Sequence, residues 1–263
     1  MSLIKSYFKF LAKSTNQHGV HSPFIYDLVT KCFYDKTKYL EYKTLQQYRS
    51  SLLNNDSVIS VTDFGAGSRV FKSNERKISA IAKNAGISKK RAELLFRITR
   101  YFQPETVLEI GTSLGLATVA LSLSNPKAKI TTLEGCINTQ NVAKKQFQTL
   151  KLDLQSTEFT TAEFSEFLKN NQQPTTNYSL IYFDGNHSQK ATLEYFNLLL
   201  STITNDSVWI FDDIHWSKEM EQAWEEIKNH EKVTVTVDTF QWGIVFFRKE
   251  QEKEHFTIRT GLF

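Results

Sequence analysis

Acidic side chains recur where predicted strands end, and they are the residues most able to do chemistry. They are Glu109, Glu134, Asp184, Asp212 and Asp213. Each lies in or directly after a short apolar run rich in β-branched or aromatic residues, a pattern typical of buried strands. The carboxyl ends of parallel strands meet at one edge of a sheet, which is where such sheets bind ligands. The sequence therefore predicts a polar, acidic site at that edge.

The stretch TVLEIGTSLG, residues 106–115, predicts the centre of this site. It reads as a strand, a turn bracketed by Gly111 and Gly115, and a helix that begins near Leu116. Glycine lets the backbone approach a ligand closely, and the N-terminus of the helix carries a partial positive charge. A turn of this kind in an α/β sheet favours a nucleotide-like ligand.

The residues around this turn favour a ligand that is cationic and carries no phosphate. The turn lacks the third glycine of the G-x-G-x-x-G pyrophosphate fingerprint. Glu134 can accept hydrogen bonds from both hydroxyls of a ribose, whereas Glu109 would repel a pyrophosphate. S-adenosylmethionine fits, because it carries a sulfonium and an ammonium group. The alternatives are that Glu109 caps local amides and that Glu134 is a solvated charge at a strand end.

Asp184, Asp212 and Asp213 predict a second chemistry, that of a divalent metal ion. They follow two strands that we expect to be near neighbours. Converging carboxylates are costly unless a cation compensates them, and Mg²⁺ or another hard divalent cation prefers oxygen ligands. The alternative is that Asp184 contacts cofactor or substrate while the aspartate pair caps the next helix.

Strand and helix patterns alternate after residue 104, which predicts how these residues are positioned. The fold class is α/β, with a doubly wound, mostly parallel, seven-stranded sheet of Rossmann-like type and a C-terminal antiparallel hairpin. The predicted strands are 106–110, 129–135, 159–164, 179–185, 207–214, 233–240 and 242–249. We predict two domains, a helical extension over residues 1–91 and the ligand-binding domain over 92–263.

The extension contains two features of interest. Residues 3–13 form an amphipathic helix, with Ile4, Tyr7 and Phe8 at helical spacing and lysines on another face. We expect it to pack on its own domain or on a twin subunit; a membrane-surface role is the alternative. The segment Asp63–Arg69 is a second glycine-rich stretch, which we interpret as a loop on the substrate side.

Composition excludes several other classes of protein. The formal net charge is +4, with acids and bases mixed along the chain, so a nucleic-acid partner is not required but stays open. Cys32 and Cys136 are far apart, which argues against a disulfide framework or a cysteine metal site. No apolar run is long enough to span a bilayer and no secretory signal is recognisable, so we expect a cytoplasmic protein with no membrane partner.

Four blocks together resemble the signature motifs of class I S-adenosylmethionine-dependent methyltransferases. They are TVLEIGTSLG, LEG at 133–135, FDGNH at 183–187 and FDDIHW at 211–216. Within that superfamily they are most similar to the catechol-type, divalent-metal-dependent O-methyltransferases. The resemblance runs from about Ala92 to the C-terminus, and the first 90 residues match none of its motifs.

The resemblance implies roles for individual residues. The turn would wrap the amino-acid end of the cofactor, Glu134 and Gly135 would meet the ribose, and Glu163 would lie near the adenine. Ala162 and Glu163 depart from the family's usual Gly-Asp pair, which weakens the adenine contact. The cofactor-binding residues predicted in this way are Glu109, Gly111, Thr112, Ser113, Gly115, Glu134, Gly135, Glu163 and Asp184.

His187 lies three residues after Asp184, the offset at which related enzymes carry a general base. An ordinary histidine pKa of about 6.5 would let it accept a hydroxyl proton near neutral pH. We therefore predict His187 and Asp184 as the catalytic pair; the alternative is that His187 caps the following helix. His215 and Trp216 are candidates to line the acceptor pocket, whereas Trp242 is predicted to be core.

The resulting prediction is a methyltransferase that modifies a hydroxyl of a small molecule with metal assistance. The alternatives are a tRNA-modifying methyltransferase on the same fold, a metal-independent small-molecule methyltransferase, a nicotinamide enzyme and a non-catalytic adenosyl-binding module. A homodimer is left open.

Overall fold

The computed structural model describes residues 3–62, 72–170 and 177–261. Asp63–Arg69, interpreted above as a loop, lies outside these residues. The chain forms two compact units, one of Lys36–Phe164 and the other of Met1–Asp35 with Ser165–Phe263. The functional boundary predicted near residue 91 stays a prediction, since compactness alone does not assign function.

Helices and strands alternate through most of the described chain. The helices are α1 (Leu3–Lys13), α2 (Pro23–Leu28), α3 (Glu41–Leu53), α4 (Ile78–Asn84), α5 (Lys89–Phe102), α6 (Leu116–Ser124), α7 (Ile137–Thr149), α8 (Phe164–Asn170), α9 (Gln189–Leu199) and α10 (Lys218–Asn229). The strands are β1 (Val58–Ser60), β2 (Glu75–Lys77), β3 (Thr106–Ile110), β4 (Lys129–Glu134), β5 (Thr157–Thr161), β6 (Leu180–Phe183), β7 (Val208–Asp212), β8 (Val235–Asp238), β9 (Trp242–Phe246) and β10 (Glu254–Thr257). A 3₁₀ turn covers Gln17–Gly19, and a π-helical turn, Val29–Phe33, continues α2.

The predicted fold class is confirmed, with one strand more than expected. The large sheet has eight strands in the order β10-β8-β9-β7-β6-β3-β4-β5, and β1 and β2 form a separate antiparallel pair. The predicted C-terminal hairpin is β8 and β9, which pair antiparallel. The additional strand is β10, which pairs parallel to β8. Its four residues alternate too weakly in polarity to be recognised from sequence, because only Phe256 is buried among them.

In the unit Lys36–Phe164, β3 is the strand around which the core forms. It pairs parallel to β4, and β4 pairs parallel to β5. Every residue of β3 after Thr106 is buried, as expected for a strand covered on both faces. On α5, which Ser88 caps, helical spacing predicts an apolar stripe of Leu94, Leu95, Ile98 and Phe102; the first three are buried and Phe102 is partly exposed. The third predicted strand ends three residues early, at Thr161, so Glu163 lies in the connection to α8.

In the other unit, β6 pairs parallel to β7, and β7 pairs antiparallel to β9. All residues of β6, β7 and β9 are buried. Trp242 is 1% exposed and meets Tyr182 edge to face, so the prediction that it belongs to the core is confirmed. The strands are thus buried along their whole length, and this buried core positions the polar residues that follow β6 and β7.

No helix among the described residues combines the length and the apolar character that crossing a bilayer requires.

Candidate functional site

The turn between β3 and α6 has a backbone that only a few residue types tolerate. Gly111 has φ 105°, Ser113 has φ 47° and Gly115 has φ 78°. The amides of Gly111 and Thr112 both donate to the carbonyl of Leu133, at 2.9 Å each. The left-handed residues fold the chain sharply, and the two hydrogen bonds hold the turn against the end of β4. The turn is therefore held by the chain's own backbone hydrogen bonds.

Glu134 fastens this turn from the end of β4. Its Oε2 accepts from the amide of Ser113 at 2.7 Å, and its Oε1 accepts from the amide of Cys136 at 2.9 Å. Burial raises the pKa of Glu134, and the backbone amides, including that of Gly135, oppose the rise. The Thr139 side chain also hydrogen-bonds to this carboxylate. Glu134 thus lies beside the turn and is held there by donors from the turn itself, the loop after β4 and α7.

Glu109 is oriented differently from Glu134. It is fully buried, and its Oε2 accepts from the hydroxyls of Thr118 at 2.6 Å and Thr132 at 2.5 Å. The Thr132 and Thr112 hydroxyls are themselves 2.5 Å apart. These contacts connect α6, β3, β4 and the turn in one buried network. The geometry places Glu109 behind the turn as a residue that positions it; direct contact with a cofactor stays a prediction.

Tyr48 on α3 supports the same turn, although no motif in the sequence identifies it. Its ring is fully buried, and its hydroxyl donates to the carbonyl of Leu114 at 2.9 Å. A Cβ atom added to Gly115 would collide with that hydroxyl. Burial, and to a smaller extent the charge of Glu109, raises the pKa of Tyr48 well above its ordinary value, so the hydroxyl keeps its proton. Only its place in the helical stripe of Leu45 and Leu52 marked it for burial.

Two other predicted cofactor residues lie at the ends of β4 and β5. Gly135 directly follows Glu134 and is half-buried, whereas Glu163 is exposed. The contact of Glu163 with an adenine ring therefore stays a prediction with no supporting geometry.

Asp184 and His187 come together after β6. The distance from His187 Nε2 to Asp184 Oδ1 is 3.5 Å, and both side chains are partly exposed. Burial lowers the pKa of His187, but the hydrogen bond with Asp184 and the charges of Asp213, Asp184 and Asp212 outweigh it and raise the pKa from 6.5 to about 9. Near neutral pH His187 is consequently a cation among carboxylates. Ser188, not His187, caps α9 by accepting from the amide of Ala191.

Asp212 ends β7 with both carboxylate oxygens engaged. Oδ2 accepts from the Tyr182 hydroxyl at 3.0 Å, and Oδ1 accepts from the amide of Asp213 at 2.8 Å. Asp212 is 4% exposed, whereas Asp213 is half-buried with a left-handed backbone, φ 55°. The helix that follows is capped by Ser217, so the aspartate pair does not serve as its cap. Tyr182, the partner of Asp212, was another residue that the sequence did not identify.

The three aspartates do not meet the geometric requirement for a metal centre. Across residues 3–62, 72–170 and 177–261, no group of three His, Cys, Asp or Glu side chains is disposed to hold an ion. The positive charge beside these carboxylates is that of His187. Metal ligation by Asp184, Asp212 and Asp213 stays a prediction, and no chemistry is derived from it below.

His215 lies between two acids. Its Nδ1 is 3.2 Å from Glu221 Oε1, its Nε2 is 2.9 Å from Asp238 Oδ2, and its ring stacks on Phe240. Burial lowers the pKa of His215, but the hydrogen bonds and charges of Asp238 and Glu221 raise it overall. Both ring nitrogens are thus committed to holding the loop after β7, while Trp216 is 38% exposed.

A comparison with protein families gives a match that covers the turn and the acidic strand ends. Residues 108–214 match the family model described as "Methyltransferase domain". This region is similar to methyltransferase domains. The matched range begins within β3 and ends just after Asp213, so it contains Glu134, Asp184 and His187. Every residue predicted to bind cofactor or metal lies inside it.

Solved structures share the fold of this chain at low sequence identity. The O-methyltransferase TomG from Streptomyces achromogenes in complex with SAM has a TM-score of 0.56 and 15% identity, over 81% of this chain and 91% of TomG. The SAH-bound methyltransferase PaMTH1 from Podospora anserina has a TM-score of 0.57 and 13% identity, over 82% and 99%. An O-methyltransferase from Bacillus cereus in complex with SAH has a TM-score of 0.54 and 16% identity, over 80% and 92%. A search of curated protein sequences finds no match.

Proposed function

We propose that this chain is an S-adenosylmethionine-dependent O-methyltransferase that modifies a hydroxyl group of a small molecule. The observation that carries the proposal is the turn fastened by Glu134, whose two oxygens each hold one backbone amide at the carboxyl end of β4. In sheets of this class, an acid at that strand end is suited to holding a ribose. The methyltransferase domain match and the fold shared with SAM-bound and SAH-bound enzymes support the same cofactor.

The residues of the turn fit this cofactor better than they fit a dinucleotide. Gly111, Ser113 and Gly115 all have positive φ, which brings the backbone close to the space above the turn. The buried carboxylate of Glu109 lies behind that space and disfavours a pyrophosphate. S-adenosylmethionine, when bound, supplies a methyl group on a sulfonium that is already able to leave. The turn would hold its amino-acid end and Glu134 its ribose.

The protein's remaining task is to align the acceptor and to remove one proton from it. His187 and Asp184 stay our predicted catalytic pair for that proton. The hydrogen bond between them fixes the imidazole beside a carboxylate. Because the pKa of His187 is about 9, the neutral imidazole that could accept the proton becomes more abundant as the pH rises toward 9. Metal assistance and the catechol-type subfamily remain finer predictions of the same proposal.

Calorimetry tests the cofactor. Titration of the purified protein with S-adenosylmethionine should release or absorb heat and saturate, whereas NAD should give none. Absence of binding by S-adenosylmethionine would overturn the proposal. Saturable binding of NAD alone would support the nicotinamide alternative.

The acceptor class is tested with a methyl-labelled cofactor. Incubation with a small-molecule extract should transfer label to low-molecular-weight products, and incubation with total RNA should not. Label found in RNA would overturn the small-molecule part of the proposal while leaving the cofactor assignment intact. Activity that EDTA removes and Mg²⁺ restores would establish metal assistance; activity unchanged by EDTA would contradict it.

A further inference from the structure

Helix α1 has one apolar face that packs on its own unit and a second apolar face that does not. On the packed side, Tyr7 and Phe10 contact the ring of Phe240, with centroids 4.9 and 5.5 Å apart. Ser6 donates to Glu221 Oε1 at 2.5 Å, which fixes the helix to α10. The helix is therefore held in place by contacts that do not involve its other apolar residues.

The second face exposes large apolar side chains to solvent. Ile4 is 68% exposed and Phe8 is 65% exposed. Ile4 and Phe8 are four residues apart and so lie next to each other on the helix. Single exposed apolar residues are ordinary, but a contiguous group on one helix marks an interaction surface. The sequence predicts that α1 packs against its own domain. That packing explains the buried apolar face of the helix but not the exposed one.

Lysines border the exposed face. Lys5, Lys9 and Lys13 recur at every fourth residue and are all exposed, and α1 contains no acidic residue. Within the described part of the chain, none of the three forms an ion pair. Their row lies beside the Ile4 and Phe8 face, because a step of one residue turns the helix by about 100°. The surface thus combines apolar anchors with unpaired positive charge.

We propose that α1 docks this methyltransferase on an anionic lipid surface. A bilayer interface offers hydrocarbon to Ile4 and Phe8 and anionic headgroups to the lysine row, which is the pairing that interfacial amphipathic helices use. A second copy of the chain is a poorer occupant, since packing α1 on α1 would bring the lysine rows together without an acid to oppose them. The absence of a membrane-spanning helix is compatible with this mode of binding, in which the helix lies in the interface.

Vesicle co-sedimentation of the full chain tests the proposal. The protein should pellet with vesicles of phosphatidylcholine mixed with phosphatidylglycerol, should stay in solution with phosphatidylcholine alone, and should dissociate as salt is raised. The double substitution I4S/F8S should weaken partitioning on the order of 100-fold, and K5Q/K9Q on the order of tenfold. Equal binding to both kinds of vesicle, or none to either, would overturn the proposal.

The matched control is Leu40→Ser. Leu40 is 77% exposed and belongs to the other compact unit, so its removal should leave vesicle binding unchanged. Thermal melting in solution should show that I4S/F8S retains its fold, because neither side chain is buried. Light scattering tests whether a second copy of the chain occupies this face instead. A dimer that forms without lipid and dissociates in I4S/F8S would show that it does and would overturn the proposal. These results do not depend on the cofactor, so they separate this inference from the proposed function.

Discussion

The carboxylates of the two compact units are held in opposite ways. Glu134 is held by neutral backbone donors, the amides of Ser113 and Cys136, at the end of a parallel strand. Asp184 instead contacts the imidazole of His187, and the charges of Asp184, Asp212 and Asp213 together raise the pKa of that imidazole to about 9. The first arrangement is set by backbone geometry, and the second depends on a charge that pH can remove.

This difference indicates what each region can do. The backbone amides that hold Glu134 cannot change protonation, so the donors of this turn are the same at every physiological pH. A histidine among acids can gain or lose a proton, which suits a region where a proton must leave the acceptor. Under the proposed function, cofactor binding would fall to the first region and proton transfer to the second, and the following predictions test that separation.

The largest expected effect comes from Gly115→Ala, which attacks the backbone-held region. The added Cβ would meet the Tyr48 hydroxyl, and the residue would keep a left-handed φ of 78°. We expect a loss of about 3 kcal/mol in the free energy of unfolding, from strain and steric overlap together. In a Tyr48→Phe background the added cost should fall to about 1–2 kcal/mol, because the colliding oxygen is gone. Urea denaturation of the four variants measures this coupling.

Gly261→Ala is the matched control for that cycle. Gly261 has a similar φ of 70° but no neighbour within 4 Å of an added Cβ. It should show at most the backbone strain and no coupling to Tyr48→Phe. Additive costs for Gly115→Ala and Tyr48→Phe would contradict the buttressing role of Tyr48.

Glu134→Ala should weaken cofactor binding without a comparable effect on the histidine region. Loss of two charge-assisted hydrogen bonds to a ribose, together with loosening of the turn, should raise the S-adenosylmethionine dissociation constant on the order of 100-fold. Glu158→Ala, which removes an exposed carboxylate from β5, is the control and should bind normally. Calorimetry measures both affinities. An unchanged affinity for Glu134→Ala would contradict the proposal that Glu134 binds the cofactor.

The backbone-held region was largely predictable from sequence, for a physical reason. Its signals are local patterns in the sequence: an apolar run, a glycine turn and an acid at the end of a strand. A parallel sheet then places the carboxyl ends of its strands at one edge. The fold class, the turn after Ile110 and the core position of Trp242 were predicted and confirmed. Even there, Tyr48 was not recognised, because its contact with Leu114 joins residues 66 positions apart. Glu109 could not be oriented either, since β3 is buried on both faces and carries no alternation.

The charge-held region was less predictable, because a pKa depends on neighbours in space. The ordinary pKa of histidine suggested that His187 is neutral at pH 7, whereas three aspartates from two strand ends keep it protonated. The same three residues suggested a metal ion, and only their arrangement shows that Asp212 already uses both oxygens on Tyr182 and Asp213. Residue types identified the place, but distances were needed to identify its electrostatic state.

The pH dependence of stability should reveal the charge on His187. The folded pKa of about 9 exceeds the unfolded value of 6.5, so folding favours the protonated form. The stabilisation is therefore fully present below pH 6.5 and is lost as pH rises through 9. Solvent screening at a side chain that is 26% exposed reduces its size, to about 1–2 kcal/mol. His187→Gln should flatten this decline in stability with rising pH. Thermal melts in EDTA between pH 6 and 10 measure the decline for both proteins. An equal decline in the variant would contradict the raised pKa of His187.

The smallest effect should come from the hydroxyl network behind the turn, and it decides whether the Glu134 region is held by backbone alone. Thr132→Val keeps the shape of the side chain but removes the hydroxyl shared by Glu109 and Thr112. Loss of a buried hydrogen bond to a carboxylate should cost about 1–2 kcal/mol in the free energy of unfolding. Because the amides of Ser113 and Cys136 still hold Glu134, the cofactor dissociation constant should change by less than about threefold. A much larger loss of affinity would show that the hydroxyl network, and not the backbone, sets the conformation of the turn. Side chains would then hold the carboxylates of both regions, and the contrast between backbone-held and charge-held acids would fail.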